Sequence, residues 1–124
     1  FFNKYGEELF RKLEHEVLES TFAYSNCVVS TGGGMPCYKD SMGKINSNGI
    51  SVYLEMDEKS ILNRLLASKQ KRPLVKNLNE NELLLFIQCK LSERRSYYEQ
   101  ANIIVPALSI SIDSLASQLV DFNV

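Results

Sequence analysis

The chain has no tryptophan, a single histidine and no Gly-x4-Gly-Lys-[Ser/Thr] turn. That turn is the usual way to hold nucleotide phosphates on backbone amides and a lysine at a helix start. The one Gly-Lys pair, Gly43-Lys44, has Tyr38 where the first glycine would stand and Ile45 after it, so a phosphate cradle of that kind is excluded from these residues. Long apolar runs are also missing, as are the n-region and h-region of a secretory leader, which excludes a single-span helix and points to a soluble, cytoplasmic protein. Three cysteines, Cys27, Cys37 and Cys89, form neither a zinc knuckle nor a CxxC pair and read as free thiols. No metal site is expected in this chain. Excess charge is absent too: 14 basic against 15 acidic residues give a net charge of -1, so there is no global field for nucleic acid. His15 lies between Glu14 and Glu16 and is expected to be a solvated surface imidazole without a role.

Against these absences stands Thr31-Gly32-Gly33-Gly34, directly after the apolar run Cys27-Val28-Val29-Ser30. At 124 residues the chain is one modest domain with room for one core and one site. Three glycines after a buried strand leave bare backbone where α/β proteins bind ligands. They could present main-chain groups to a hydroxyl, carboxylate or phosphate, or serve only the geometry of a turn.

Helical spacing of Phe2, Leu9, Phe10, Leu13, Val17 and Leu18 predicts an amphipathic helix from residue 1 to about residue 20, entered through Gly6. Cys27 to Thr31 reads as a short buried strand and Ile50 to Glu55 as a second. Residues 35 to 48 between them read as helix or loop. Asp57 is placed to cap a helix running to about Ser68, and Asn79 with Glu82 forms a capping box opening a helix to Arg95. Asn102 to Pro106 is a third strand, followed by a closing helix from Asp113 to Val120. Between the two capped helices, Lys69, Lys71, Arg72 and Lys76 put four positive charges in eight positions. This stretch could favour a polyphosphate or be an ordinary solvated connector. Strands alternating with helices give an α/β layer fold with a largely parallel sheet.

Four elements occur in order: Gly6-Glu7 with Phe10-Arg11 and Glu14, then the glycine triplet, then Arg72-Pro73-Leu74, then Arg94 with Tyr98 and Ala101. Together they resemble the shikimate kinase family from Phe1 to about Val120. The resemblance implies a three-layer α/β fold of the P-loop nucleoside-monophosphate-kinase type, with a five-stranded parallel sheet. In the family, the P-loop and an aspartate-bearing strand precede the equivalent of Phe1. The chain therefore reads as residues 1-124 of a single domain truncated at the amino end, the carboxy-terminal portion of the kinase domain, inactive and either unstable or rearranged alone. The implied activity of the intact protein is transfer of the γ-phosphoryl of ATP, with Mg2+, to the 3-hydroxyl of shikimate. The alternatives are another small-molecule kinase of gluconate type, or a non-catalytic metabolite-binding relative.

The resemblance also implies roles. Arg11 and Arg94 match the arginines that grip the shikimate carboxylate, with Arg94 preferred to Arg95 because it precedes Tyr98 by four. Either could instead be a surface arginine paired with Glu14 or Glu93. Gly32, Gly33 and Gly34 would present backbone to the substrate hydroxyls, and Glu14 would orient Arg11. Phe2 and Phe10 would line the ring pocket, although core packing explains them equally well. Arg72 matches the catalytic arginine of a mobile lid at about residues 69-79 that closes over the γ-phosphate. Arg64 resembles the arginine that stacks on adenine. Shikimate and ATP are the implied partners of a monomer, with no nucleic acid and no membrane.

Overall fold

The computed structural model describes residues 6-67 and 79-122. Phe2, Arg72 and the rest of the expected lid apart from Asn79 lie outside the described residues, as do Lys69, Lys71 and Lys76.

Helix α1 spans Glu7–Thr21, and its entry residue Gly6 has φ 87°, a left-handed conformation that suits glycine. Glu7 and Glu8 occupy its first turn, where negative charge complements the helix dipole. A single turn of 3-10 helix at Met35–Cys37 and helix α2, Ser41–Asn48, lead to strand β1, Val52–Glu55. Helix α3 covers Glu58–Ala67, α4 Glu80–Tyr98, strand β2 Ile103–Pro106 and α5 Ile112–Phe122. Both anticipated caps form. Asp57 Oδ2 accepts from the Ser60 amide at 3.3 Å and its Oδ1 from the Ser60 hydroxyl at 2.5 Å, and Asn79 Oδ1 accepts from the Glu82 amide at 2.8 Å.

β1 and β2 pair in parallel, Val52 opposite Ile103 through Glu55 opposite Pro106. Buried Ile103 and Val105 alternate along β2 with exposed Ile104 and Pro106, the period-two pattern of a strand with one covered face. The pair is tied at its start by Ser51, whose amide donates to Asn102 Oδ1 at 3.0 Å while its hydroxyl accepts from the Asn102 amide at 2.9 Å.

Leu62 of α3 meets Leu83 and Ile87 of α4 in a small core. On α4 that stripe continues at helical spacing through Leu91 to Arg94 and Tyr98. The same face that packs at one end thus carries Arg94 and Tyr98 at the other. Glu7, Arg11, Glu14, His15 and Leu18 share one face of α1 in a similar way, with Leu18 fully packed.

Three expectations need correction. Cys27 to Thr31 is not a buried strand: residues 27-30 are exposed, with Val28 completely so. β propensity specifies an extended chain, but a strand needs a neighbour's ladder of hydrogen bonds, and among the described residues this segment pairs with none. On α1 the apolar stripe Leu9, Leu13 and Val17 is substantially exposed, and the mixed polar face packs instead. His15 is not a solvated imidazole, because its side chain is only 12% exposed. Its Nδ1 lies 3.1 Å from Ser41 Oγ. Since that hydroxyl already donates to the Tyr38 carbonyl at 2.6 Å, Nδ1 must be the donor. Among the described residues no helix is long and apolar enough to cross a membrane.

Candidate functional site

The glycine triplet is where α1 and the end of α4 converge. Each glycine there has its own reason to be one. Gly32 has φ 75° and open space around it, so it serves the turn. Gly34 serves close approach: Nη1, Cζ and Nη2 of Arg11 all occupy the space a Cβ would need. At Gly33 a Cβ would sit 2.9 Å from Arg94 Nη1 and 3.1 Å from Tyr98 Oη. Two adjacent glycines therefore admit two guanidinium groups, one from each helix.

Arg11 is held by carboxylates. Its Nη1 donates to Glu14 Oε1 at 2.6 Å, with both side chains mostly covered, and its Nη2 lies 3.7 Å from Glu7. Phe10 supports it from the side, the guanidinium carbon lying 5.3 Å from the ring centre. Arg94 is half-buried whereas Arg95 is exposed, so of the two it is Arg94 that lies beside Tyr98 and the glycine turn. Among the described residues Arg94 forms no ion pair, and its neighbour is the Tyr98 hydroxyl. That hydroxyl donates to the Gly33 carbonyl at 2.6 Å. Burial pushes its pKa up, and the charge and hydrogen bonding of Arg94 partly oppose the rise, so the phenol stays protonated and remains a donor at neutral pH.

Glu7, Arg11, Gly34, Cys37, Tyr38, Lys90, Glu93, Arg94 and Tyr97 line one open concavity of about 290 Å³. Two guanidinium groups lining one concavity can take a small carboxylate through paired, charge-assisted hydrogen bonds. Phe10 and Glu14 instead border a neighbouring apolar hollow with Leu13, Val17 and Met35. The structure thus brings together Arg11, Glu14, Phe10, Gly33, Gly34 and Arg94. Arg64 lies apart on the last turn of α3 with its side chain exposed. Phe2 and Arg72 are outside the described residues.

Two residues were missed. Tyr98 served only as a spacing marker, although its position four after Arg94 on a helix already placed the two side by side. By sequence Cys37 is a plain free thiol. It is free, but its Sγ lies 3.7 Å from the Gly33 carbonyl. Burial raises its pKa, and Arg94 and Arg11 partly offset the rise. No sequence motif announces it.

A family model described as shikimate kinase matches residues 1-123. The shikimate kinase of Bacteroides fragilis is 41% identical over 103 residues, covering 83% of this chain and 58% of the relative. That of Flavobacterium johnsoniae is 38% identical over 122 residues, covering 97% and 71%. The crystal structure of shikimate kinase from Bacteroides thetaiotaomicron superposes with a TM-score of 0.84 at 33% identity, over 98% of this chain and 70% of that one. The Aquifex aeolicus enzyme gives a TM-score of 0.73 at 30% identity. The chain spans somewhat over half the length of the Bacteroides fragilis relative, 58%.

Proposed function

The chain belongs to the shikimate kinase family, and from that premise we propose that the whole protein transfers the γ-phosphoryl group of ATP to the 3-hydroxyl of shikimate, in aromatic amino-acid biosynthesis. A bond forms between the substrate oxygen and the γ-phosphorus. The bond to the β,γ-bridging oxygen breaks, the hydroxyl proton passes to a base or to solvent, and ADP is released. The observation that carries this reading is the convergence of Arg11 and Arg94 on the backbone of Gly34 and Gly33. Shikimate has one carboxylate, and a guanidinium pair is the side-chain arrangement best matched to it. Phosphoryl transfer depends on alignment of the acceptor and on neutralising charge on the moving group. Fixing the carboxylate from two helices fixes the ring and therefore the direction in which the 3-hydroxyl points.

The nucleotide side of the reaction draws less on this chain. Arg72 is assigned to the γ-phosphate as the lid arginine and Arg64 to the adenine. Bound Mg2+ would neutralise phosphate charge. Among the described residues no three His, Cys, Asp or Glu side chains form a group able to hold a metal, so no residue here is assigned to it and no step is routed through it. The same reading makes the protein a cytoplasmic monomer acting on small molecules.

The test is ADP release by the whole protein with shikimate or gluconate as acceptor. Preference for shikimate is expected. Equal use of gluconate, or shikimate binding without turnover, would overturn the assignment in favour of a different kinase or a non-catalytic binder.

A further inference from the structure

An arginine near the end of a 19-residue helix has many rotamers open to it, and freezing one costs side-chain entropy. Arg11 meets that cost with Glu14 and Glu7. Arg94 has no carboxylate partner among the described residues, yet it is half-buried and aligned on Gly33. What holds the neighbourhood in place is Tyr98. Its ring packs against Tyr53 of β1, with centroids 5.1 Å apart and planes at 39°, so it stands on the sheet. Its hydroxyl spans 65 positions of sequence to reach the Gly33 carbonyl.

We propose that Tyr98 is the positioning residue for Arg94: by donating to the Gly33 carbonyl while abutting the guanidinium, its hydroxyl fixes the glycine turn and Arg94 together, so that Arg94 meets the substrate carboxylate already oriented. Three features support this beyond proximity. Tyr98 follows Arg94 by one helical turn, so the two side chains rise from the same face. The hydroxyl can donate one bond and still accept from a guanidinium N–H. Its anchor lies on a strand rather than on the helix that carries Arg94, so it reports the position of the sheet to the site. Orientation set before binding lowers the entropy lost on binding, which improves affinity without altering the chemical step.

The inference rests on the reading above for its kinetic form and is tested with Tyr98→Phe in the whole protein, which keeps the ring and removes the hydroxyl. If the wild type phosphorylates shikimate, KM for shikimate should rise about tenfold while kcat stays within about twofold and KM for ATP is unchanged. In an Arg94→Lys background the same substitution should have little further effect, because it acts through Arg94. An unchanged KM for shikimate, or full additivity with Arg94→Lys, overturns the inference while leaving the proposed function standing. A readout independent of substrate is the Nε–H resonance of Arg94, identified by its loss in Arg94→Lys. It should shift or broaden in Tyr98→Phe while that of Arg11 stays in place. If the wild type ignores shikimate, the proposed function fails and this resonance alone decides: movement supports the positioning role, and an unmoved signal sinks it.

Discussion

Arg11 and Arg94 approach neighbouring glycines from two helices, but they are supported in opposite ways. Arg11 sits in a carboxylate frame, Glu14 at 2.6 Å and Glu7 at 3.7 Å. Arg94 rests against a neutral hydroxyl and has no ion pair among the described residues. A carboxylate orients a guanidinium strongly but also cancels part of its charge. A phenol orients it more weakly and leaves the charge available. On the proposed reading the pair would divide the work, Arg11 holding geometry and Arg94 supplying most of the net attraction for an anion.

Removing the arginine with the uncompensated charge should have the largest effect. Arg94→Ala loses charge-assisted bonds worth about 3 kcal/mol, so KM for shikimate should rise roughly a hundredfold with the thermal midpoint nearly unchanged. An effect confined to a few-fold would break the division of roles. Next comes the glycine that admits Arg11. In Gly34→Ala the new methyl group takes the space of the whole guanidinium, so Arg11 must swing away and abandon Glu14; a rise in KM of about tenfold is expected. Gly33→Ala should be milder, because one terminal nitrogen and one hydroxyl can each give by a few tenths of an ångström. Steady-state kinetics on both variants check the order.

The carboxylate frame can be probed by its own removal. Arg11→Ala leaves Glu14 mostly covered and unpartnered beside an anion site, adding repulsion to the lost grip. Adding Glu14→Gln to that variant should therefore lower KM for shikimate by about threefold relative to Arg11→Ala. No companion substitution should relieve Arg94→Ala in this way. Failure of Glu14→Gln to give any relief would mean that Glu14 is not what limits Arg11.

How much of this could be read in advance depended on whether the information was local. The Asn79–Glu82 cap and the approach of Arg11 to Glu14 are set by spacing along one helix, and both contacts form; the same kind of spacing puts Arg94 beside Tyr98. The Cys27 to Thr31 strand failed because pairing is a property of two segments and the pattern of one cannot supply the other. His15 failed for a related reason: flanking glutamates announce a surface, but Ser41 and Lys44, 26 and 29 positions away, cover it. Tyr98 and Gly33 meet across 65 positions. For His15 and Tyr98 the decisive contact lies far along the chain.

The smallest expected effect lies at Cys37, whose thiol feels both arginines at once. Burial raises its pKa above the ordinary 9.0, while Arg94 and then Arg11 pull it down. Burial is the larger influence, so the net shift is upward even with two cations nearby. In the folded protein the thiol therefore keeps its proton to higher pH than in the unfolded chain. Its contribution to stability is then fully present below 9.0 and is lost as pH rises through the higher folded value. Tyr98 titrates with the same sign but starts from 10.0, so a comparison of variants is needed to isolate the thiol. Cys37→Ser keeps a donor for the Gly33 carbonyl and removes the titration. Between about pH 8 and about pH 10 the wild-type thermal midpoint should fall slightly more than that of Cys37→Ser. A smaller fall in the wild type would mean that the two guanidinium groups outweigh burial, and that Arg94 delivers more field at Cys37 than a half-buried cation beside a phenol should.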